Sequence, residues 1–228
     1  MLLDPDALSQ PDRYKLLIGG ITPRPIAWIS TIEPAPGPTP TGLASAGPRL
    51  NLAPFSFFAG LGSEPMTLLF CPANKPDGSE KDSLRNAKPL AEGGSGEFVV
   101  NTVPHALARH MAMTAAELPY GDSELELPLP TPLTTAPSAK VRAPRLADAP
   151  VAFECRTIHV YRTNPGVPNA GNLVVGRVVA VHVLDGAIND RLHIDPAAVD
   201  HVGRMGGMGY CTTRDRFDLP RGIAPGGG

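Results

Sequence analysis

The sequence lacks the charge imbalance and the long apolar runs that mark several large classes of protein. Its 20 Lys and Arg residues nearly balance 22 Asp and Glu residues, for a net charge of −2 with neutral histidines. A charge of that size does not attract nucleic acid or an anionic membrane. No apolar run reaches the roughly 18 residues of a bilayer span, and the first ten residues carry acids where a secretory signal carries bases. We therefore expect a cytoplasmic protein with neither a nucleic-acid nor a membrane partner.

Cysteine is also scarce, and familiar catalytic motifs are absent. Cys71, Cys155 and Cys211 are widely spaced and form no CxxC pair, so we interpret them as reduced thiols. No HExxH zinc motif, GxSxG nucleophile elbow or Walker phosphate loop occurs, and the glycines of HVGRMGGMGY do not follow the GxGxxG pattern. The sequence therefore indicates no metal site, and it identifies no catalytic side chain.

What the sequence does contain is short strands separated by many turn residues. It has 24 glycines and 27 prolines in 228 residues, which is too few to indicate disorder. Strands are predicted at 26–30, 66–71, 97–103, 151–163 and 172–185, the last two as a hairpin. A strand is also expected at 43–48, after a proline-rich connection at 33–42. Because helices and strands do not alternate regularly, we predict a mainly β, antiparallel barrel with a few short helices, as a single domain over residues 1–228.

The remaining segments are assigned from residues that break or cap regular structure. Residues 51–65 are apolar but interrupted by proline and glycine, which predicts an irregular, largely buried segment. Ser79, with Asp82 three residues later, predicts a short helix that Ser79 caps, and residues 106–118 predict a second helix. Residues 119–150 are rich in proline and show little periodicity, so we predict a long excursion that covers another subunit.

Three groups of polar residues stand beside backbone donors that regular structure leaves unused. In ITPRPIAWIST, Pro23 and Pro25 need no ladder hydrogen bond at a strand start, and they hold Arg24 at a stiff edge. The run NLAPFSFF offers N–H and C=O groups to a polar ring. Residues 81–83, Lys-Asp-Ser, open a helix, where N–H groups, a positive dipole end, an ammonium and a hydroxyl suit a phosphate.

Each of these groups also has a purely structural interpretation, which the residues alone leave open. An arginine at a strand end is commonly solvated, and a serine or aspartate at a helix start is commonly a cap. Phe55, Phe57 and Phe58 would suit a hydrophobic core as well as the wall of a flavin site.

Four blocks, ITPRPIAWIST, NLAPFSFF, KDSLRNA and EFVVN, occur in this order and at these intervals. Together they resemble the flavin reductase-like, FMN-binding split-barrel family, and within it the flavoredoxin-like branch. The resemblance is strong over residues 14–101 and looser over residues 151–210. It implies a homodimer of antiparallel split barrels, in which each subunit holds one FMN near the dimer interface.

The resemblance also implies which residues form the cofactor site. Thirteen residues would contact FMN: Arg24, Pro25, Ile26 and Ser30 on the first strand, Asn51, Ala53, Pro54, Phe55 and Ser56 beside the isoalloxazine, and Lys81, Asp82, Ser83 and Asn86 around the phosphate. The prolines around Arg24 would then form a rigid wall for a flat cofactor. Near the C terminus, glycines would let His201, Arg204 and Tyr210 approach a nicotinamide or the flavin of the other subunit, or would form a closing loop.

Two kinds of activity follow from the resemblance. Proteins of this family either reduce flavin with NADH or NADPH, often feeding a flavin-dependent monooxygenase, or they hold FMN and pass electrons onward. We predict an FMN-dependent oxidoreductase that transfers electrons from NAD(P)H to flavin or to a downstream acceptor. The alternatives are a flavoredoxin-like electron carrier and a non-enzymatic module that binds flavin or haem.

Overall fold

The structure is a computed structural model that describes residues 1–34, 49–220 and 222. Its helices are α1 (Gln10–Gly20), α2 (Asp82–Ala87), α3 (Ala108–Met113) and α4 (Pro196–Val199). Its strands are β1 (Arg24–Pro25), β2 (Ala27–Ile32), β3 (Leu50–Phe55), β4 (Phe58–Ser63), β5 (Met66–Phe70), β6 (Glu97–Asn101), β7 (Thr135–Ala136), β8 (Arg145–Leu146), β9 (Val151–Arg162), β10 (Asn172–Val183), β11 (Val202–Arg204) and β12 (Tyr210–Thr212). The strand predicted at 43–48, and most of the connection predicted at 33–42, lie outside the described residues.

Seven strands form one antiparallel sheet that curls into a split barrel. The strand order is β3-β2-β6-β9-β10-β5-β4. The two edge strands, β3 and β4, are consecutive in the chain and are joined by only residues 56–57, so the two edges of the sheet must lie close together. In this sheet the two edges do not pair with each other, and the barrel is therefore split. This confirms the predicted fold.

The barrel core is built from side chains that alternate along the central strands. Phe70 lies between Phe55 and Phe98, with ring centroids 5.3 and 5.1 Å apart, and all three pack with Ile29 of β2. The next residue along the chain from Ile29, Trp28, points to the other face of β2 and packs in a second cluster under α3. Strand β2 is thus buried on both faces, which explains its almost continuous apolar sequence.

Most predicted strands are confirmed, with ends that differ by one or two residues. The segments 66–71 and 97–103 form β5 and β6, and the segments 151–163 and 172–185 form the hairpin of β9 and β10. The proline-rich start at Pro23 and Pro25 is also where it was expected. Pro25 lies in the short strand β1, opposite Gly203 of β11.

The prediction of an irregular segment at 51–65 is wrong, because the segment forms two strands. Pro54 is accommodated because β3 is an edge strand, where a missing N–H leaves no ladder partner unsatisfied. Gly60 and Gly62 flank a shift of register between β4 and β5, which is a common place for glycine in a strand. Beyond Phe58, the residues of β4 are exposed rather than buried.

Both helix predictions need correction at their ends. Helix α2 begins at Asp82, with Lys81 at the N-cap position and no side-chain cap, while Ser79 donates its hydroxyl to Asp77 Oδ1 at 2.6 Å. The helix predicted at 106–118 is reduced to α3, preceded by a 3-10 turn. Helix α3 ends at Met113, and the hydroxyl of the next residue, Thr114, donates to the carbonyl of Met111 at 2.9 Å.

Residues 119–150, which were predicted to cover another subunit, fold back over the barrel of their own chain. Their buried side chains include those of Val141, Ala143, Leu146 and Ala149. The backbone N–H of Leu146 donates to Asn101 Oδ1 at 2.8 Å, and Ser30 donates its hydroxyl to the carbonyl of Pro144 at 2.6 Å. These contacts join the excursion to β6 and β2, which single-sequence patterns cannot show.

Helix α1 was missed, although its start carries a recognisable signal. Ser9 caps it by accepting a hydrogen bond from the N–H of Asp12 at 3.3 Å, and Pro11 lies in the first turn. None of its residues is buried. The absence of an apolar face explains why hydrophobic periodicity did not reveal it.

Candidate functional site

Two adjoining cavities form one cleft beside the edge strand β3. The large cavity, of about 540 Å³, lies between α1, the connection at 56–57 and the chain that follows β5. The small cavity, of about 130 Å³, lies at the start of α2. Both are lined by Pro54, Phe55, Lys81 and Glu117, so they adjoin each other along these residues. The size of the large cavity is typical of a small-molecule site.

Eight of the thirteen residues predicted to contact FMN line this cleft: Asn51, Ala53, Pro54, Phe55, Ser56, Lys81, Asp82 and Ser83. They come from two blocks that are distant in sequence and meet because α2 packs against β3. The contact is direct, since Asn51 Nδ2 donates to Ser83 Oγ at 3.0 Å. The expected approach of the NLAPFS and KDS blocks is therefore observed.

The Asn51–Ser83 hydrogen bond occupies a lone pair of the serine oxygen and not its proton. Both residues are buried, and Ser83 Oγ acts as the acceptor in this bond. The hydroxyl proton of Ser83 can then be donated to a ligand in the small cavity. Because α2 has only six residues, its macrodipole is small, and the side chains supply most of the attraction for an anion.

Two ammonium groups line the small cavity, and each is paired with a carboxylate. Lys75 Nζ lies 2.7 Å from Asp82 Oδ1, and Lys81 Nζ lies 3.5 Å from Glu117 Oε1. Asp82, predicted as a phosphate ligand, is thus placed as the partner of Lys75. Lys75 was missed because a lone lysine in a loop carries no sequence signal.

An apolar wall lines the large cavity, and the three phenylalanines divide between it and the core. Phe57 lines the cavity, with the Arg24 guanidinium 5.7 Å from its ring centroid. Phe55 lines both cavities and also packs on the barrel core, whereas Phe58 packs only with the core among the contacts described. Tyr14 of α1 lines the same cavity. Aromatic side chains along the cavity suit a planar ligand.

The carboxyl group of Glu124, which the sequence did not single out, lines the small cavity. Glu124 is only 5% exposed, and its Oε2 accepts a hydrogen bond from the N–H of Leu52 at 2.7 Å. Burial raises the pKa of Glu124 to about 7, while the bond from Leu52 acts in the opposite direction. Asp82 also raises this pKa, and Lys75 lowers it. Glu124 lies in the proline-rich excursion, where no pattern marked it.

Arg24, predicted to contact FMN, is buried beside the cleft, where its guanidinium binds protein groups of several segments. It is 4% exposed, and its Nη1 donates to the carbonyls of Ile18 and Ile21 at 2.6 and 2.5 Å. Its Nη2 donates to the carbonyl of Met205 at 3.1 Å, and its Nε to Ser56 Oγ at 3.2 Å. Arg24 therefore holds the end of α1, the glycine-rich loop and the cleft wall together, rather than lining a cavity itself.

Four further predicted contacts are placed outside the two cavities. Ile26 is buried under α3, Pro25 is exposed, and Ser30 is engaged with the excursion. Asn86 donates to Thr31 Oγ1 at 3.1 Å and accepts from the Tyr120 hydroxyl at 3.0 Å. Both ends of the Asn86 amide thus bind protein groups, because Tyr120 of the excursion lies over α2.

The C-terminal residues form a separate group. Arg204 lies over the ring of Tyr210, 4.5 Å from its centroid, and Tyr210 lines a third cavity of about 310 Å³ between α3 and β12. His201 Nε2 lies 2.9 Å from Thr102 Oγ1, and burial lowers the pKa of His201 below its ordinary value. None of the three lines the cleft of the same chain.

Other features of the described chain bear on what the site can hold. Cys71 lines the large cavity, and burial raises the pKa of its thiol, so the thiolate is disfavoured. Asn74, also on this cavity, was missed by the sequence analysis; its Nδ2 donates to the carbonyl of Val167 at 2.9 Å.

Over residues 1–34, 49–220 and 222, no cluster of His, Cys, Asp and Glu is arranged to hold a metal ion. In the same residues no helix has the length and hydropathy to cross a membrane.

Comparison with known proteins identifies the family. The model of the flavin reductase like domain matches residues 19–204, and the chain therefore belongs to the flavin reductase-like family. The family resemblance of the four sequence blocks is confirmed.

The chain is also similar to individual proteins over nearly its whole length. An uncharacterized protein of Deinococcus radiodurans is 40% identical over 224 residues, which cover 96% of this chain and 88% of the relative. Nitrilotriacetate monooxygenase component B from Bacillus cereus has a TM-score of 0.81 at 28% identity, covering 96% of this chain and 98% of that chain. The 2-nitrobenzoate 2-nitroreductase of Pseudomonas fluorescens has a TM-score of 0.77 at 26% identity, covering 100% of both chains.

Proposed function

We propose that this protein is an FMN-dependent oxidoreductase that transfers electrons from NADH or NADPH to flavin or to a downstream acceptor. The observation that carries the proposal is the cleft, in which two blocks of the flavin reductase-like family meet across the Asn51–Ser83 hydrogen bond. A family match alone would leave the ligand undefined. The cleft adds a cavity of suitable size with a polar end and an apolar end.

The donor set of the cleft fits FMN. The small cavity offers the hydroxyl of Ser83 and the ammonium group of Lys81 to a phosphate, a combination of hydroxyl and cationic donors that suits phosphate oxygens. The large cavity offers Phe57 and Tyr14 to a planar ring. Pro54 lines both cavities and would contact the flavin between its phosphate and its ring.

A bound flavin would supply the redox chemistry, accepting a hydride from the nicotinamide and passing two electrons onward. The protein would hold this group in place and keep it in one orientation. Arg24 would act indirectly, because its bonds to Ser56 and to α1 fix the wall of the large cavity. The His201, Arg204 and Tyr210 group would serve the nicotinamide.

We also propose that the protein is a homodimer. The C-terminal group does not line the cleft of its own chain, so its proposed role requires the cleft of a second chain. Light scattering should then give about twice 23.9 kDa. A monomer that binds FMN normally would show that one chain completes the site and would remove this role.

The electron acceptor is proposed to be a separate protein or free flavin. The similar protein from Bacillus cereus is named as component B of a monooxygenase, which supports an oxygenase partner. The similar nitroreductase supports a small aromatic acceptor as a second candidate. Adding each acceptor to the reduced protein under anaerobic conditions would distinguish them.

The test of the proposed activity is the oxidation of NADH and of NADPH by the purified protein with excess FMN. A flavin reductase should consume the nicotinamide continuously, far beyond the amount of protein present. An electron carrier that holds FMN tightly would consume little in the absence of its partner, and a non-enzymatic module would consume none. Either of the last two results would overturn the proposed enzyme activity, while the flavin site would be tested separately by binding.

A further inference from the structure

The buried carboxyl group of Glu124 lies where the phosphate of FMN is proposed to bind. It lines the small cavity together with Lys81 and Ser83. It is held there by the 2.7 Å hydrogen bond from Leu52 N–H, so it cannot turn away without leaving that donor of β3 unpaired. Two negative groups in one partly buried cavity repel each other more strongly than in water.

The charged side chains around Glu124 do not neutralise this repulsion. Asp82 of α2 and Glu117 of the segment after α3 also line the small cavity, and each is paired with one lysine, Lys75 or Lys81. Three carboxylates thus face two ammonium groups. A dianionic phosphate that enters this set adds negative charge to a cavity that is already negative.

We propose that Glu124 is a proton-linked residue of the phosphate subsite, which takes up one proton from solvent when FMN binds. The inference rests on the proposed function, because FMN supplies the phosphate. In the protonated carboxyl, one oxygen still accepts from Leu52 N–H while the other carries the proton and can donate it to a phosphate oxygen. Proton uptake therefore turns a repulsive neighbour into a hydrogen-bond donor.

The environment of Glu124 makes this proton available near neutral pH. Burial raises its pKa to about 7, whereas an ordinary glutamate with a pKa of about 4.3 would stay ionised. Bound phosphate would raise the pKa further. In the adjoining cavity, burial raises the pKa of the Cys71 thiol.

The proposal predicts a characteristic pH dependence of binding. Above pH 7 the phosphate of FMN is almost fully ionised, since its second pKa is about 6. From pH 7 to pH 8.5 the affinity for FMN should fall, by up to about tenfold per pH unit, because binding requires a proton that becomes scarcer. The affinity for riboflavin, which has no phosphate, should change much less.

The experiment measures FMN and riboflavin binding by flavin fluorescence at several pH values, for the wild type, Glu124→Gln and Glu126→Gln. Glutamine at position 124 keeps an oxygen for Leu52 but has no titratable proton, so FMN affinity should become nearly independent of pH and should exceed that of the wild type at pH 8.5. Glu126 is exposed on the same 3-10 turn. Glu126→Gln removes the same charge and should leave the wild-type profile unchanged.

A calorimetric measurement on the wild type tests proton uptake without any substitution. Binding heats for FMN at pH 8, compared between buffers of different ionisation enthalpy, should show uptake of about one proton. FMN binding without proton uptake, or with the same pH profile in Glu124→Gln, would overturn the inference and leave the flavin site standing. If neither FMN nor riboflavin binds at any pH, the proposed function fails and this inference fails with it.

Discussion

Replacement of Lys81 by alanine distinguishes a phosphate contact from an ordinary surface lysine. In the structure, Lys81 is 33% exposed and its only described ion pair is the 3.5 Å contact with Glu117, which is itself 61% exposed. An exposed pair of this kind contributes about 0 to 1 kcal/mol, so Lys81→Ala should change the free energy of unfolding by no more than about 0.5 to 1 kcal/mol. The loss of a charge-assisted bond to phosphate, in contrast, costs about 1.5 to 3 kcal/mol.

The assay is a titration of the apoprotein with FMN and with riboflavin. For Lys81→Ala the FMN dissociation constant should rise roughly tenfold to a hundredfold, while the riboflavin constant should hardly change. Lys140→Ala is the matched control, because Lys140 is exposed on the excursion and does not line the cleft. Equal losses for both ligands would refute the reasoning, since they would mean that Lys81 supports the shape of the site rather than the phosphate.

Three further predictions concern stability, each measured by denaturant unfolding. Gly176→Ala should destabilise by about 1 to 3 kcal/mol, because a Cβ there would overlap the buried ring of Phe98; an unchanged stability would mean that the core can move. Trp28→Phe should cost about 1 to 2 kcal/mol, because it removes a buried 2.8 Å hydrogen bond to Thr114; no loss would show that this bond contributes nothing net. Glu154→Ala should cost about 3 kcal/mol, because a fully buried carboxylate there accepts hydrogen bonds from two backbone N–H groups and a histidine; a loss below 1 kcal/mol would contradict that assignment.

The parts of the fold that sequence reasoning predicted are those with local signals. The hairpin of β9 and β10 alternates apolar and polar residues on both sides of a turn. Pro25 marks a strand start because proline has a fixed φ and no N–H to donate within a sheet. The approach of Asn51 to Ser83 depends on tertiary packing. This approach was predicted only because the four sequence blocks, in their order, resemble the flavin reductase-like family.

The parts that sequence reasoning missed depend on contacts between distant segments. Arg24 looked like a ligand contact because its neighbours are rigid, but its donors meet carbonyls as far away as Met205. Glu124 lies in a segment without periodicity, and its burial arises from the edge of β3, where Leu52 needs an acceptor. In both cases a polar side chain satisfies the backbone of another element, which no local pattern encodes.

The most direct test of the account is whether the purified apoprotein takes up flavin. Equilibrium dialysis against FMN, FAD and riboflavin, followed by the visible spectrum of the retained protein, would measure it. The account predicts one FMN per chain, with a weaker affinity for riboflavin because the phosphate contacts are lost. No uptake of any of the three flavins would contradict the assignment of the cleft between β3 and α2.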